Sequence, residues 1–296
     1  MIIYSATKKK FSEDVFGGII KDKILTAFQG KLGGRVSPSE ARSYQNSLVY
    51  MNGVVNTPEI PDNAGVALEY RIPSTNKRVD FLMSGEDGKR NKVLVIVELK
   101  QWDQVDKTDK DGLVQTFVGG GVREVSHPSY QAWSYAMLMR DFNSSIEETG
   151  VTLEACAFLH NLALGDAEGV LDSRYNRYLS EAPVFLSTDA NKLRSFLATH
   201  VKYGDSGAVL FEVDKGRIRP SKHLAETLAS LLQGNQEFVM IDDQKVVYEN
   251  ALTLAERAQA GKKSVLIVEG GPGTGKSVVA INLLVELTKR RLLTHY

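Results

Sequence analysis

Five consecutive apolar β-formers, Val93-Leu-Val-Ile-Val97, constrain this chain more than any other stretch. A strand with no polar break is buried on both faces, so the run predicts the interior of a sheet with a layer packed on each side. It ends in Glu98-Leu99-Lys100. Side chains alternate across a strand, so Glu98 and Lys100 share one face and Leu99 points to the other. A carboxylate and an ammonium at the mouth of a buried strand are costly to desolvate unless paired or bound to something. Arg78-Val-Asp80-Phe-Leu82 predicts the preceding strand, joined to the first by the charged turn Ser84 to Asn91. Asp80 would then bring a second carboxylate to the same spot. Two carboxylates and a lysine suit a hard divalent cation and a phosphate.

At 296 residues the chain has room for two domains. Lys plus Arg and Asp plus Glu both number 36, so charge alone announces no nucleic-acid partner, although a local basic groove stays open. The single cysteine, Cys156, excludes an internal disulfide and a cysteine-rich metal site and fits a reducing cytoplasm. The first residues carry no apolar core of signal-peptide length, and no run approaches the ~20 apolar residues of a membrane span. The expectation is a cytoplasmic protein without a membrane partner.

Before the central stretch, apolar spacing predicts a helix from Asp14 to Phe28 and another opening at Ser37-Pro38 and running to about Met51. Val66 to Ile72 and Lys77 to Met83 predict a hairpin with Glu69 and Asp80 on its two arms. Asp103 to Gly121 is polar and then glycine-rich, and predicts a mobile loop near the site. His127-Pro128 opens a helix on which Gln131 and Tyr135, four apart, share a face. Further strands are expected at Thr152 to Leu159 and Ala182 to Ser187. A helix from Thr188 to about His200 and another from Pro220 to Leu232 follow. His127, His160, His200 and His223 have no metal-ligand spacing, and packing or surface roles are the default, with His127 singled out because it adjoins the Gln/Tyr helix.

The second clear signal is near the C-terminus. Ser264-Val-Leu-Ile-Val-Glu269 predicts a buried strand. Gly270-Gly271-Pro272-Gly273-Thr274-Gly275-Lys276-Ser277 follows, and then an apolar helix from Val278 to Leu287. This is G-x-x-x-x-G-K-S in the strand–loop–helix setting that makes it a phosphate-binding loop. Loop N–H groups and the helix N-terminus would hold phosphate. Lys276 would reach the β- and γ-phosphates of ATP, Ser277 would ligate Mg²⁺, and Gln244 upstream would read adenine. Only 19 residues follow Ser277 (296 − 277), too few for the acidic strand and the further parallel strands of a complete ATPase. ATP hydrolysis is therefore not expected of this chain. A bare sheet edge is expected, covered by the N-terminal part or by a second copy in a homo-oligomer, or else disordered.

Asp80, Glu98-x-Lys100 and Gln131-x-x-x-Tyr135, in that order, resemble the PD-(D/E)XK nuclease superfamily and its RecB-like branch, with Val79 where proline is usual. Residues 236–296 resemble the start of a superfamily 1 or Schlafen-like helicase domain. The resemblance implies an α/β fold: a restriction-endonuclease-like mixed sheet flanked by helices over 1–215, a helical linker over 216–235, and an incomplete P-loop fragment over 236–296. It implies Mg²⁺ or Mn²⁺ held by Asp80, Glu98 and the Leu99 carbonyl, with Glu69 a candidate outer-shell acid. Lys100 would orient the attacking water, Gln131 would position Lys100, water or phosphate, and Tyr135 would contact the nucleic-acid backbone. The implied activity is nucleic-acid phosphodiester hydrolysis, DNA before RNA, within a nuclease–helicase of DNA repair or phage defence. Two readings compete with it: an inactive nucleic-acid-binding or regulatory module on a degenerate nuclease fold, and a nucleotide-binding protein whose N-terminal part is a sensor.

Overall fold

The computed structural model describes residues 1–32, 38–73, 75, 77–216, 239–259, 263–271, 274–292 and 294. Its centre is a six-stranded mixed sheet. In chain order the strands are β1 (Tyr4–Thr7), β2 (Gly65–Arg71), β3 (Arg78–Glu86), β4 (Lys92–Lys100), β8 (Thr152–Leu159) and β9 (Val184–Leu186), and they lie side by side in that same order. The first four are antiparallel neighbours, whereas β4, β8 and β9 run parallel. Val93 to Val97 of β4 are buried, as their unbroken apolar run requires.

Helices cover both faces. On one side lie α1 (Lys8–Phe16), α2 (Ile20–Leu32), α3 (Pro38–Val55) and α7 (Ala190–His200), whose Phe11, Ile24, Met51 and Leu197 pack on Val66, Phe81, Val95 and Cys156. On the other lie α4 (Pro128–Phe142), α5 (Ser144–Thr149) and α8 (Ala208–Lys215), whose Ala132, Tyr135, Ile146 and Val209 pack on Ala67, Leu82, Leu94 and Ile96. A short helix, α6 (Asn176–Glu181), precedes β9.

Several local expectations are corrected. The helix expected from Asp14 to Phe28 is two helices, because Gly17 caps α1 and Gly18 turns the chain at φ 68°. Helix α3 runs past Gly53 to Val55: the Arg194 guanidinium of α7 donates to the Gly53 and Val54 carbonyls, which otherwise lack partners at a helix end. The segment 103–121 is not a loop. With residues up to 126 it forms a second sheet, β5 (Asp106–Lys107), β6 (Leu113–Val118) and β7 (Gly121–Ser126), in the order β5-β6-β7. Gly119 and Gly120, both at positive φ (59° and 81°), make the two-residue hairpin turn, so the glycines read as mobility are turn chemistry. Val105 and Val114 bury this sheet against Leu159 and Tyr175.

After the N-terminal part come α9 (Asp243–Gln259), packed on β7, and α10 (Lys276–Lys289), packed on α9. The expected strand Ser264 to Glu269 has no regular secondary structure and pairs with no strand among the described residues, and Val265 and Ile267 are 87% and 78% exposed. A buried parallel strand needs hydrogen-bonded neighbours, and the described residues supply none. Ser37 and the helix expected at 220–232 lie outside the described residues.

One carboxylate ties the hairpin to its covering helix. Asp205 accepts from the Ser84 hydroxyl (2.8 Å) and from the backbone N–H groups of Gly65, Gly207 and Val209. Removing it leaves several donors short of an acceptor at the start of α8. Asp205→Ala should therefore lower unfolding stability by about 1–3 kcal/mol, measured by urea denaturation, with the folded-state circular dichroism unchanged.

Candidate active site and nucleotide cleft

The expected carboxylates meet where the sheet loses its regular alternation. On β2, Leu68 packs on the α3 side, yet Tyr70 and Ile72 both pack on the α4 side with Ala67. On β3, Phe81 and Met83 pack on the α3 side, while Leu82 and Val79 pack on the α4 side. The pairing runs Leu68↔Phe81 and then Tyr70↔Val79, passing over Glu69 and Asp80. Glu69 has φ 55°, a left-handed conformation that a non-glycine residue holds at a cost of about 1–3 kcal/mol. The two strands thus twist together at one position, and that position carries both acids.

Glu69 is buried and its Oε2 lies 2.9 Å from Arg78 Nε. Asp80 Oδ2 accepts the Leu99 backbone N–H at 2.8 Å, which ties it to the end of β4. There Glu98 and Lys100 share the α4 side, as alternation requires, with Lys100 Nζ 2.7 Å from Glu98 Oε1. Lys100 Nζ also stands 5.3 Å from the centre of the Trp102 ring. Glu98 Oε2 is buried without a hydrogen-bond partner. Asp80, Glu69 and Leu99 line a small cleft together with Ser47 of α3.

Burial pushes the Asp80 carboxyl up, and the neighbouring Glu69 carboxylate adds to this; Lys100 and the Leu99 N–H offset only part. Burial also raises Glu98, with Asp80 repulsion second. For Lys100 burial acts downward, but the Glu98 and Asp80 carboxylates outweigh it and hold the ammonium charged. Two acids forced up beside a charged lysine form a site short of positive charge. The Glu98 oxygen without a partner and the donor set of carboxylate oxygens fit a hard divalent cation. Among the described residues, no group of three or more His, Cys, Asp or Glu side chains is disposed to hold a metal, so such an ion would depend on Asp80, Glu98 and main-chain oxygen.

Gln131 and Tyr135 share the inward face of α4, as their spacing predicts. Gln131 Nε2 donates to Tyr135 Oη at 3.0 Å, and Tyr135 Oη donates to Asp242 Oδ2 at 2.6 Å. Asp242, in the turn before α9, was not evident from the sequence. It also pairs with Lys77 at 3.1 Å, and it adds to the negative charge felt by Glu98 and Lys100. An acidic doublet at a helix start reads as ordinary capping, and nothing in its spacing gives away a partner more than a hundred residues earlier.

His127 is a structural residue. Its Nδ1 accepts the Ser129 N–H and caps α4, and its Nε2 faces the Val170 carbonyl, so the buried ring is neutral with the proton on Nε2. Burial lowers its pKa to about 4. A second buried histidine, His160, stands behind the cleft wall, against Ser47. Asn161 Nδ2 donates to the Gln101 carbonyl, which leaves its Oδ1 facing His160 Nδ1. His160 Nε2 is then the acceptor for the Ser47 hydroxyl at 3.0 Å, and Ser47 accepts from Gln101 Nε2 at 2.9 Å. This ring fixes Ser47 beside the acids.

The loop Gly270 to Ser277 keeps phosphate-loop features, although Pro272 and Gly273 lie outside the described residues. Gly275 precedes α10 at φ 83°, which glycine adopts without strain, and a Cβ there would push the Gln244 amide aside. Lys276 Nζ folds back onto the Gly270 and Gly271 carbonyls (2.5 and 2.8 Å), and Thr274 Oγ1 donates to the Gly271 carbonyl. Ser277 is exposed in the first turn of α10. Gln244 bridges: its Nε2 donates to the Thr274 carbonyl and its Oε1 accepts the Ile241 N–H.

Residues 263–296 match the family Schlafen group 3, DNA/RNA helicase domain, so the C-terminal stretch is similar to a fragment of such a domain. No curated protein and no solved structure matches the chain. Among the described residues, no helix is long and apolar enough to cross a membrane.

The raised carboxyls have a measurable consequence. A carboxyl whose folded pKa lies above its unfolded value binds more protons in the folded state, so stability falls as pH rises from the ordinary carboxylate range through the folded pKa. Without divalent cations, the protein should lose stability between about pH 5 and pH 8, and Glu98→Gln should remove part of that loss, of the order of 1 kcal/mol or more. Thermal melts of both proteins across this range check it, and parallel curves would mean that Glu98 is not held up by burial.

Proposed function

We propose that the chain is a metal-dependent nuclease joined to a nucleotide-binding, Schlafen-like helicase fragment, over the boundaries 1–215, 216–235 and 236–296. The observation that carries this is the convergence of Asp80, Glu98 and Lys100 at the end of β4, with a buried Glu98 oxygen lacking a partner. Asp80, Glu98 and the Leu99 carbonyl would hold Mg²⁺ or Mn²⁺, with Glu69 behind them, paired to Arg78. Bound there, the cation acidifies water and polarises a phosphodiester.

The protein groups have separable tasks. Lys100 keeps a full positive charge beside the acids, where it orients the attacking water and offsets charge building on the phosphate. Leu99 fixes Asp80 through its N–H, so the carboxylate needs no reorganisation as the reaction proceeds. Gln131 and Tyr135 hold each other on α4, and Tyr135 lies near enough to feel the Glu98 charge, which suits positioning of the scissile phosphate. Lys276, Ser277 and the loop from Gly270 to Gly275 are the groups for nucleotide phosphates, and Gln244 for adenine. The substrate of this reading is a nucleic-acid backbone, DNA before RNA.

A second reading has one observation in its favour: the described residues offer no cluster of three metal-ligating side chains. Under it the fold would bind nucleic acid, or sense nucleotide, without cutting.

Cleavage of labelled single-stranded DNA, double-stranded DNA and RNA with Mg²⁺, Mn²⁺ or EDTA separates the two. Lys100→Ala should lower metal-dependent cleavage by at least ~10²-fold while circular dichroism shows a folded protein. Full activity in that variant would sink the nuclease assignment. Mn²⁺ binding by calorimetry, lost in Asp80→Asn, checks the metal independently of turnover.

A further inference from the structure

The cleft in front of the phosphate loop is not built from the C-terminal segment alone. Gln244, Gly270, Thr274 and Lys276 line it, and so does Lys77 from the connection between β2 and β3. Lys77 Nζ is held by Asp243 at 2.8 Å and by Asp242 at 3.1 Å. The Lys77 side chain is 29% exposed and that of Asp243 is 87% exposed. The Lys77–Asp243 pair is open to water, so it contributes little and yields readily to a stronger anion, whereas the Lys77–Asp242 pair, with Asp242 only 12% exposed, is the firmer of the two.

The charges around the cleft explain why Lys77 matters. Asp243 and Glu269 line it as well, and Lys276 is the other lysine on its wall. With Lys77 the wall balances two cations against two acids. Without it the acids would outnumber the cations, and a polyphosphate would enter a site of its own sign. We propose that Lys77 is a nucleotide-binding residue: the phosphates of a nucleoside triphosphate are gripped by Lys276 and the loop N–H groups on one side and by the Lys77 ammonium on the other. A lysine on a flexible stem suits this, because it acts as a compact point charge that can leave a carboxylate for a phosphate. This inference rests on the nucleotide-binding part of the proposed function and is independent of the nuclease part.

The test is equilibrium binding of a fluorescent, mant-labelled ATP to the whole 296-residue chain. Lys276→Ala reports on the phosphate loop, and Lys77→Met on the added lysine. Lys77→Met should weaken binding roughly tenfold, Lys77→Arg should retain most of it, and Lys89→Met, on the turn between β3 and β4, should change nothing. Asp243→Asn removes a competitor for Lys77 and should tighten binding. In a double-mutant cycle that gain should shrink in the Lys77→Met background, which a mere change of net charge would not produce. Binding lost in Lys276→Ala but unchanged in Lys77→Met would overturn the inference and leave the phosphate loop standing. No binding by the unaltered chain would overturn both. Should Lys77→Met fail to fold, Asp243→Asn still decides: affinity equal to wild type would show that loosening the hold on Lys77 has no effect on the ligand and would overturn the inference.

Discussion

The pairing of Glu98 with Lys100 at the end of a fully buried strand sets most of the architecture around it. A carboxylate and an ammonium withdrawn from water attract each other strongly, but each also loses hydration, and the balance is favourable only with good geometry and few groups left over. Here the geometry is good at one oxygen and unfinished at the other. Asp80 could have relieved the shortage of hydrogen bonds by turning away to solvent. Instead the Leu99 N–H holds it in place, and the paired twist of β2 and β3 at Glu69 and Asp80 keeps a third acid nearby. Helices on both sides keep water from screening the group. The fold thus holds like charges together against their repulsion, and a strained φ at Glu69 goes with it. Backbone strain at Glu69 and repulsion among the acids fall at the same place.

Much of this was legible in the sequence because its signals are local. Val93 to Val97 had to be a central strand, and the alternation after it placed Glu98 and Lys100 on one face without further information. Gln131 and Tyr135 share a helix face for the same kind of reason. What stayed hidden was either a matter of turn chemistry or of long-range contact. Gly119 and Gly120 look like a flexible run until their positive φ values close a hairpin. Gly17 and Gly18 interrupt an apolar period that would otherwise continue. Gly53 looks like a helix stop, but Arg194, far along the chain, supplies the donors that let α3 go on. Asp242 is an acid next to another acid, and only the folded chain shows which hydroxyl it meets.

The C-terminal segment teaches a different lesson. The strand–loop–helix pattern holds in its helix, whereas its strand finds no partner among the described residues. The loop is satisfied by nearby bonds: Lys276 and Thr274 donate to the Gly270 and Gly271 carbonyls, and the Thr274 carbonyl accepts from Gln244. A strand is satisfied by its neighbours, and Val265 and Ile267 face water without them. The apolar run specifies a partner's surface as much as its own conformation.

The turn before α9 also bears on how the molecule could be divided. Tyr135 donates to Asp242, Tyr130 Oη lies 2.5 Å from the Met240 carbonyl, and Ile241 is buried among α4 and β-sheet side chains. Cutting the chain after residue 216 would strip two buried tyrosines of their acceptors and open an apolar hole where Ile241 sits. The residues that look in sequence like the beginning of the second unit are, in packing terms, the last piece of the first. A protease or a gene boundary placed between them would separate names, but not structures.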